Sequence, residues 1–202
     1  MRRITARAFA CEPEKRSSGR FFFARSQYNH AVSAKPSAVS AKASPMLEGY
    51  SARLRAPYAV LAIRTRREQL VEIEYLPKAA ATLKPIDAFA REVCRQLSAY
   101  LRDPNFSFDL PCEPYGTAYQ QRVWQAVCAI PRGSTSSYLE VAREIGSAPR
   151  PVGTACGANR IPLLIPCHRV VASSGLGGFM HSRKGEPIDI KRWLLRHERA
   201  LD

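Results

Sequence analysis

Two capping boxes, Thr117-x-x-Gln120 and Ser137-x-x-Glu140, constrain this chain more than any other feature, because each sets where a helix must start. In such a box the hydroxyl accepts from a backbone N–H of the first turn while the Gln or Glu reaches back, so two orphan donors are satisfied together. Behind Thr117, the apolar residues Val123, Trp124, Val127 and Ile130 recur at helical spacing. Behind Ser137, Tyr138, Val141, Ala142 and Ile145 do the same until Gly146 stops the helix. A third helix is predicted to begin near Pro151, a residue suited to a first helical position, and to run to Asn159. Two helices joined by a tight Gly-containing turn make a helix-turn-helix pattern, although many helical proteins contain such a turn.

The third helix is built of small residues, Gly153, Ala155, Gly157 and Ala158. An interior glycine costs roughly 1 kcal/mol relative to alanine, so something there needs close backbone approach. Tight helix packing is one reading. With Arg150 at the helix start, a narrow nucleic-acid groove is the other. Charge placement bears on the choice. Residues 117–202 hold twelve Lys/Arg against six Asp/Glu, whereas residues 47–116 hold ten against nine. The helical part is the basic one, which favours a polyanionic partner, most often nucleic acid.

Upstream the pattern changes period. Tyr50, Ala52 and Leu54 alternate with Ser51, Arg53 and Arg55, residues 58–65 form a second strand, and Arg66-Arg67-Glu68 turns into a third. There Val71, Ile73 and Tyr75 oppose Glu72 and Glu74. Ile86, Phe89, Ala90, Val93 and Leu97 then follow a helical period that Pro104 ends, and Phe106, Phe108 and Leu110 alternate again. Pro111, Pro114 and Gly116 mark a boundary. The fold class is therefore α+β, with a small sheet-plus-helix domain over 47–113 and a mostly helical domain over 114–202. Residues 1–46, with nine Lys/Arg against two Asp/Glu and no sustained periodicity, read as a disordered basic arm. A transit peptide, or an extension ahead of a start at Met46, fits the same composition. No apolar run approaches the ~20 residues that span a bilayer, so the chain reads as soluble and cytoplasmic, with no membrane partner.

None of the six cysteines forms a C-x-x-C pair, and no Cys/His spacing resembles a zinc site. Most read as small core residues. Cys167 differs, because Ile161-Pro-Leu-Leu-Ile-Pro-Cys-His-Arg-Val-Val171 sets three polar residues at the end of an apolar run. A buried strand with an inert cysteine is one reading. The other is a used thiol, since such groups are costly unless paired and a Cys beside His and Arg sits where thiolate is favoured. In an extended chain neighbouring side chains point opposite ways, so His168 would act on Cys167 through a water. In the last helix Ile190, Leu194 and Glu198 fall at i, i+4 and i+8. Glu198 is either a solvated helix end or a partly buried carboxylate that orients an imidazole, as in a catalytic triad.

The stretch from Pro114-Tyr-Gly-Thr117 to Glu198 resembles the O6-methylguanine-DNA methyltransferases of the bacterial type. The resemblance rests on Pro166-Cys167-His168-Arg169-Val170, with Ser137-Tyr138, Asn159, Gly175-Leu-Gly-Gly178 and Trp193-Leu-Leu-Arg-His-Glu198 in support. It implies a ribonuclease H-like N-terminal domain and a winged helix-turn-helix-like catalytic domain. It implies DNA repair in which Cys167 takes a methyl or other alkyl group from O6-alkylguanine, and also O4-alkylthymine, once per molecule. His168 and Glu198 would help form the thiolate, Asn159 would brace the turn before the active-site strand, and Tyr138 would rotate the nucleotide and donate to the departing guanine. Arg150 would fill the gap in the base stack, with Thr154, Ala155 and Gly157 also on the DNA side. Cys156, Pro162, Val170, Gly177, Gly178 and Phe179 would line the substrate pocket. The partner implied is double-stranded DNA carrying the lesion, bound by a monomer through the minor groove with the base flipped out.

No cofactor and no metal are expected. Gly175, Gly177 and Gly178 do not complete a dinucleotide fingerprint, since Met180 takes the last place, and zinc ligands of some relatives have no counterparts. The chain departs from the family where Arg150 directly precedes Pro151, where Arg160 follows Asn159 in place of proline, and at Phe179 in place of tyrosine. A non-catalytic DNA-binding module would have lost the acceptor cysteine, which is present. A redox-responsive helix-turn-helix regulator is the remaining alternative.

Overall fold

The computed structural model describes residues 49–202, so the arm over residues 1–46 lies outside the described residues. Three antiparallel strands come first, β1 (Ala52–Arg55), β2 (Val60–Arg66) and β3 (Gln69–Leu76), in the order β1-β2-β3. Arg67 and Glu68 form the β2–β3 turn, both left-handed at φ 50° and 55°, with Arg66 paired to Gln69. Consecutive left-handed residues give the mirror-image turn whose twist suits a two-residue hairpin. Ser51, read from the alternation as solvent-facing, is instead buried and accepts hydrogen bonds from the Thr65 N–H and hydroxyl.

Helix α1 (Ala88–Arg102) starts at Asp87, whose carboxylate accepts from the Ala90 N–H at 2.7 Å. Ile86 precedes that cap and is exposed, so it falls outside the apolar stripe the sequence assigns it to. Ala90, Val93, Leu97 and Tyr100 form the buried face. Residues 106–110 run extended with Leu110 buried, but they join no strand. Their alternation serves a loop that Gln96 holds, exchanging hydrogen bonds with the Asp109 carbonyl (3.0 Å) and N–H (2.8 Å).

Both capping boxes form as the sequence predicts, opening α2 (Ala118–Cys128) and α3 (Tyr138–Glu144). Gly146, at φ 65°, ends α3. Helix α4 (Pro149–Gly157) begins two residues before Pro151, because Pro149 and Pro151 both fit a first turn whose N–H groups have no intrahelical partner. The two-residue strand β4 (Ser136–Ser137) lies parallel to β5 (Val170–Val171), and α5 (Glu186–His197) closes the chain.

Tyr50–Asp202 form one unit with one core, to which the sheet, α1 and the later helices all contribute. The Ile73 N–H donates to the Arg160 carbonyl at 2.9 Å, and the Arg160 guanidinium holds Glu72 at 2.8 and 3.0 Å. Arg160 thus ties β3 to the segment just before the turn that carries Cys167. No helix among the described residues is long and apolar enough to cross a membrane.

Candidate active site

Pro162 and Ile165 pair across a tight turn with Leu163 at φ 76°, which returns the chain from the end of α4 to Cys167. Asn159 fixes this return. Its Oδ1 accepts from the Ile161 N–H (2.9 Å), while its Nδ2 donates to the Ile165 carbonyl (2.8 Å) and to Cys167 Sγ (3.2 Å). One side chain therefore braces the turn and touches the Cys167 sulfur.

Cys167, His168 and Arg169 form a single 3₁₀ turn rather than the extended segment read from the sequence, and all three are buried. The tighter turn sends the side chains to different places. Arg169 lies against Glu198, donating to both carboxylate oxygens at 2.8 Å, and against the Ile130 carbonyl at 2.8 Å. His168 Nε2 stands 3.2 Å from Glu198 Oε1, although its N–H is poorly aimed at that oxygen. Tyr100 donates to the same oxygen at 2.8 Å. Glu198 is buried, as the carboxylate reading requires, in a nest that includes an arginine and a tyrosine the sequence reading did not foresee. Burial alone would raise the Glu198 pKa, but the Arg169 hydrogen bonds, with the His168 ring close by, outweigh it and hold the carboxyl well below its usual range. Burial lowers the His168 pKa despite Glu198, so the imidazole is neutral near pH 7 and free to take a proton.

The thiol does not rest as thiolate. A hydrogen bond with Cys156, followed by burial, pushes the Cys167 pKa well above its ordinary value, against the lowering effect of Asn159. The sequence reading favoured thiolate because His and Arg are chain neighbours. In the fold Arg169 is neutralised by Glu198 and His168 is uncharged, so neither supplies a free positive charge. Lys191 does. It is fully buried in α5, donates to the carbonyls of Val170 (2.6 Å) and Gly178 (3.0 Å), and pairs with no carboxylate among the described residues. Burial lowers its pKa to about 8, while Cys156 and Cys167 act to hold its proton. Lys191 shares the apolar stripe of Ile188, Ile190, Leu194 and Leu195, the same signal that singles out Glu198, and was missed.

Tyr138, at the start of α3, donates to the Gly178 carbonyl at 3.0 Å and lies below Lys191, whose Nζ is 5.8 Å from the ring centre. Burial raises its pKa to about 12, so it remains a donor. Val170 and Gly178 are joined to the site through Lys191, and Cys156 through its effect on the Cys167 thiol. Gly177 is left-handed at φ 68°, and a Cβ there would meet the Tyr138 ring and the Ala172 backbone at 3.0 Å. Phe179 is buried with its ring 6.1 Å from that of Tyr75, toward β3.

On α4, Arg150 and Thr154 are exposed. Ala155, expected on the DNA side, is buried instead, because its carbonyl accepts the Trp124 indole N–H at 2.9 Å and that face is turned to α2. Gly157 is not open either. A Cβ there would stand 2.3 Å from His181 Cε1, so its smallness admits an imidazole.

A family model described as 6-O-methylguanine DNA methyltransferase, DNA binding domain, matches residues 118–200. The methylated-DNA–protein-cysteine methyltransferase of Methanosarcina barkeri is 46% identical over 113 residues, covering 54% of this chain and 68% of that protein. The regulatory protein ada of Salmonella typhimurium is 46% identical over 122 residues, covering 59% of this chain; the chain spans about a third (35%) of that relative's length. The crystal structure of Mycobacterium tuberculosis OGT in complex with DNA superposes with a TM-score of 0.62 at 36% identity, covering 73% of this chain and 91% of that one.

Proposed function

The chain belongs to the O6-methylguanine-DNA methyltransferase family, and from that membership we propose that it repairs alkylated DNA by moving the alkyl group of O6-alkylguanine onto its own Cys167. The observation that carries the reading is a buried thiol held by Asn159 in the same turn as a neutral imidazole, itself backed by the Glu198 carboxylate.

The Cys167 Sγ–H gives its proton to His168 through a water, and the sulfur attacks the alkyl carbon in line with the C–O6 bond. A new C–S bond forms as C–O6 breaks, and the electron pair leaves on guanine. Tyr138 donates a hydrogen bond to the departing base as that charge appears. Its hydroxyl is engaged by Gly178 at rest, but Lys191 donates to the same carbonyl, so Tyr138 can leave without stranding an acceptor. Lys191 is also the uncompensated cation that favours the transient thiolate. The product is a thioether with no leaving group to reverse the step, so each molecule reacts once. O4-alkylthymine offers the same chemistry. The base must be extruded, because an O6 substituent cannot be reached inside a paired duplex. The protein acts as a monomer and enters by the minor groove, which is only about 6 Å wide; the exposed edge of α4 with Arg150 and Thr154 supports that approach.

Incubation with duplex DNA containing a single O6-methylguanine, followed by peptide mass analysis, tests the proposal. One methyl on the Cys167 peptide, and none with Cys167→Ala, is the expected result. Methyl on Cys156 or Cys128, or continued repair by Cys167→Ala, would overturn it. A redox-responsive DNA-binding protein would take no methyl at all.

A further inference from the structure

The hairpin beyond Gly178 is built more firmly than a connecting loop requires. Phe179 and Ser182 exchange backbone hydrogen bonds of 2.8 and 2.9 Å, leaving Met180 and His181 at the tip with φ 50° and 60°. Two consecutive left-handed residues make the same mirror-image turn as Arg67 and Glu68. Unlike that exposed turn, this one is also held on each side. The Phe179 ring is buried toward Tyr75, the Gly178 carbonyl is pinned by Tyr138 and Lys191, and the His181 ring lies against Gly157 at the end of α4. The Ser182 hydroxyl donates to the Lys184 carbonyl at 2.8 Å and fixes the exit.

The hairpin presents Arg183 and Lys184, both exposed and neither in an ion pair among the described residues. The Arg183 stem passes Gly178, with its Cγ 3.9 Å from where a Cβ of that glycine would stand. The sequence around them is one-sided in charge. Between Glu144 and Glu186 there is no Asp or Glu, and the Lys/Arg residues are Arg150, Arg160, Arg169, Arg183 and Lys184. Arg160 is engaged by Glu72 and Arg169 by Glu198, which leaves Arg150, Arg183 and Lys184 unengaged. Helix α4 has nine residues, a length of roughly 13 Å. Arg150 near its start and the hairpin at its end therefore bracket it. Paired free cations on a rigid support, in a segment without carboxylates, suit the phosphates of a polyanion.

We propose that this hairpin is a second grip on DNA, in which Arg183 and Lys184 bind backbone phosphates beside the nucleotide presented to Cys167 while α4 holds the duplex. The inference rests on the proposed function, since it takes the same DNA. Its support is the docking of the hairpin on α4 and on the Gly178 carbonyl, so that phosphates gripped there are held in fixed relation to the acceptor.

The test measures duplex affinity against salt for the full chain and for Arg183→Gln/Lys184→Gln, with unfolding midpoints matched to the parent's. Lys78→Gln/Lys84→Gln, which removes the same charge from exposed positions in the sheet-bearing part, is the control. Each phosphate contact contributes about 0.9 to the slope of log affinity on log salt, so the hairpin variant is expected to be shallower by about 1.8. The control is expected to keep the parent's slope. A hairpin variant with the parent's slope, or a control that loses as much, overturns the inference. Should the parent take no methyl from the lesion duplex, the proposed function fails, and that result is read separately on the Cys167 peptide.

Discussion

Arg169 and Glu198 stand 29 positions apart and meet in the interior through two hydrogen bonds of 2.8 Å, one to each carboxylate oxygen. The pair joins the 3₁₀ turn that carries Cys167 to the end of α5. Removing one partner strands the other's charge in the core. Arg169→Met is therefore expected to cost about 3–5 kcal/mol in urea unfolding. The double variant Arg169→Met/Glu198→Gln should lose less than the sum of the two single changes. Strict additivity would show that the pair is not coupled.

The same carboxylate sets an acid limit. Its pKa falls on folding, so the unfolded chain binds more protons than the folded one below the ordinary carboxylate value of about 4.3. The stabilisation is complete above that value and is lost as pH drops toward the depressed folded value. Glu198→Gln should flatten the decline of stability between about pH 5 and pH 2. An unchanged acid profile would assign the decline to other groups.

Cys156 should act as a brake on ionisation of Cys167, because it is the largest cause of the raised Cys167 pKa. Cys156→Ala is expected to move the pH midpoint of Cys167 capping by iodoacetamide downward, read by mass on that peptide. Asn159→Ala removes a lowering influence and should move it upward. Shifts in the reverse senses would reject this account of the thiol.

Arg150→Ala should slow repair in duplex DNA, where extrusion costs a few kcal/mol, and leave reaction with free O6-alkylguanine near the parent's rate. Arg150 is exposed on the first turn of α4. Equal slowing on both substrates would place it in folding or thiol activation instead.

The two glycines of α4 should part company. A Cβ at Gly153 meets the Tyr138 ring at an ordinary 3.7 Å, so Gly153→Ala is expected to stabilise by up to about 1 kcal/mol. At Gly157 the Cβ would displace the His181 ring, so Gly157→Ala should gain less and loosen the hairpin, seen as faster amide exchange at Ser182. Equal gains with unchanged exchange would remove the packing role given to His181.

What could be read in the sequence was local or periodic. Thr117 and Ser137 announced their helices because a capping box closes within four residues, and Glu198 stood out by helical spacing. Lys191 carried the same periodic signal, but a lysine on an apolar stripe is usually taken to extend to solvent. The orientation of Arg169 was not legible, since it depends on a 3₁₀ turn fixed by Asn159 and on a carboxylate at the far end of the chain. Ala155 faces inward for a similar reason, because the Trp124 indole needs an acceptor there. The Phe106–Leu110 alternation was real, but whether an extended segment finds a strand to pair with is settled by its neighbours.

Strand β4 ends at Ser137, the N-cap of the helix that begins with Tyr138, and β5 begins at Val170, directly after the Cys167–Arg169 turn. The ladder Ser136↔Val170 and Ser137↔Val171 is made by main chain alone. It works as a ruler between Tyr138 and Cys167 that is indifferent to which side chains surround it. A change of core side chains around it therefore leaves the main-chain path from the Tyr138 phenol to the Cys167 sulfur as it stands.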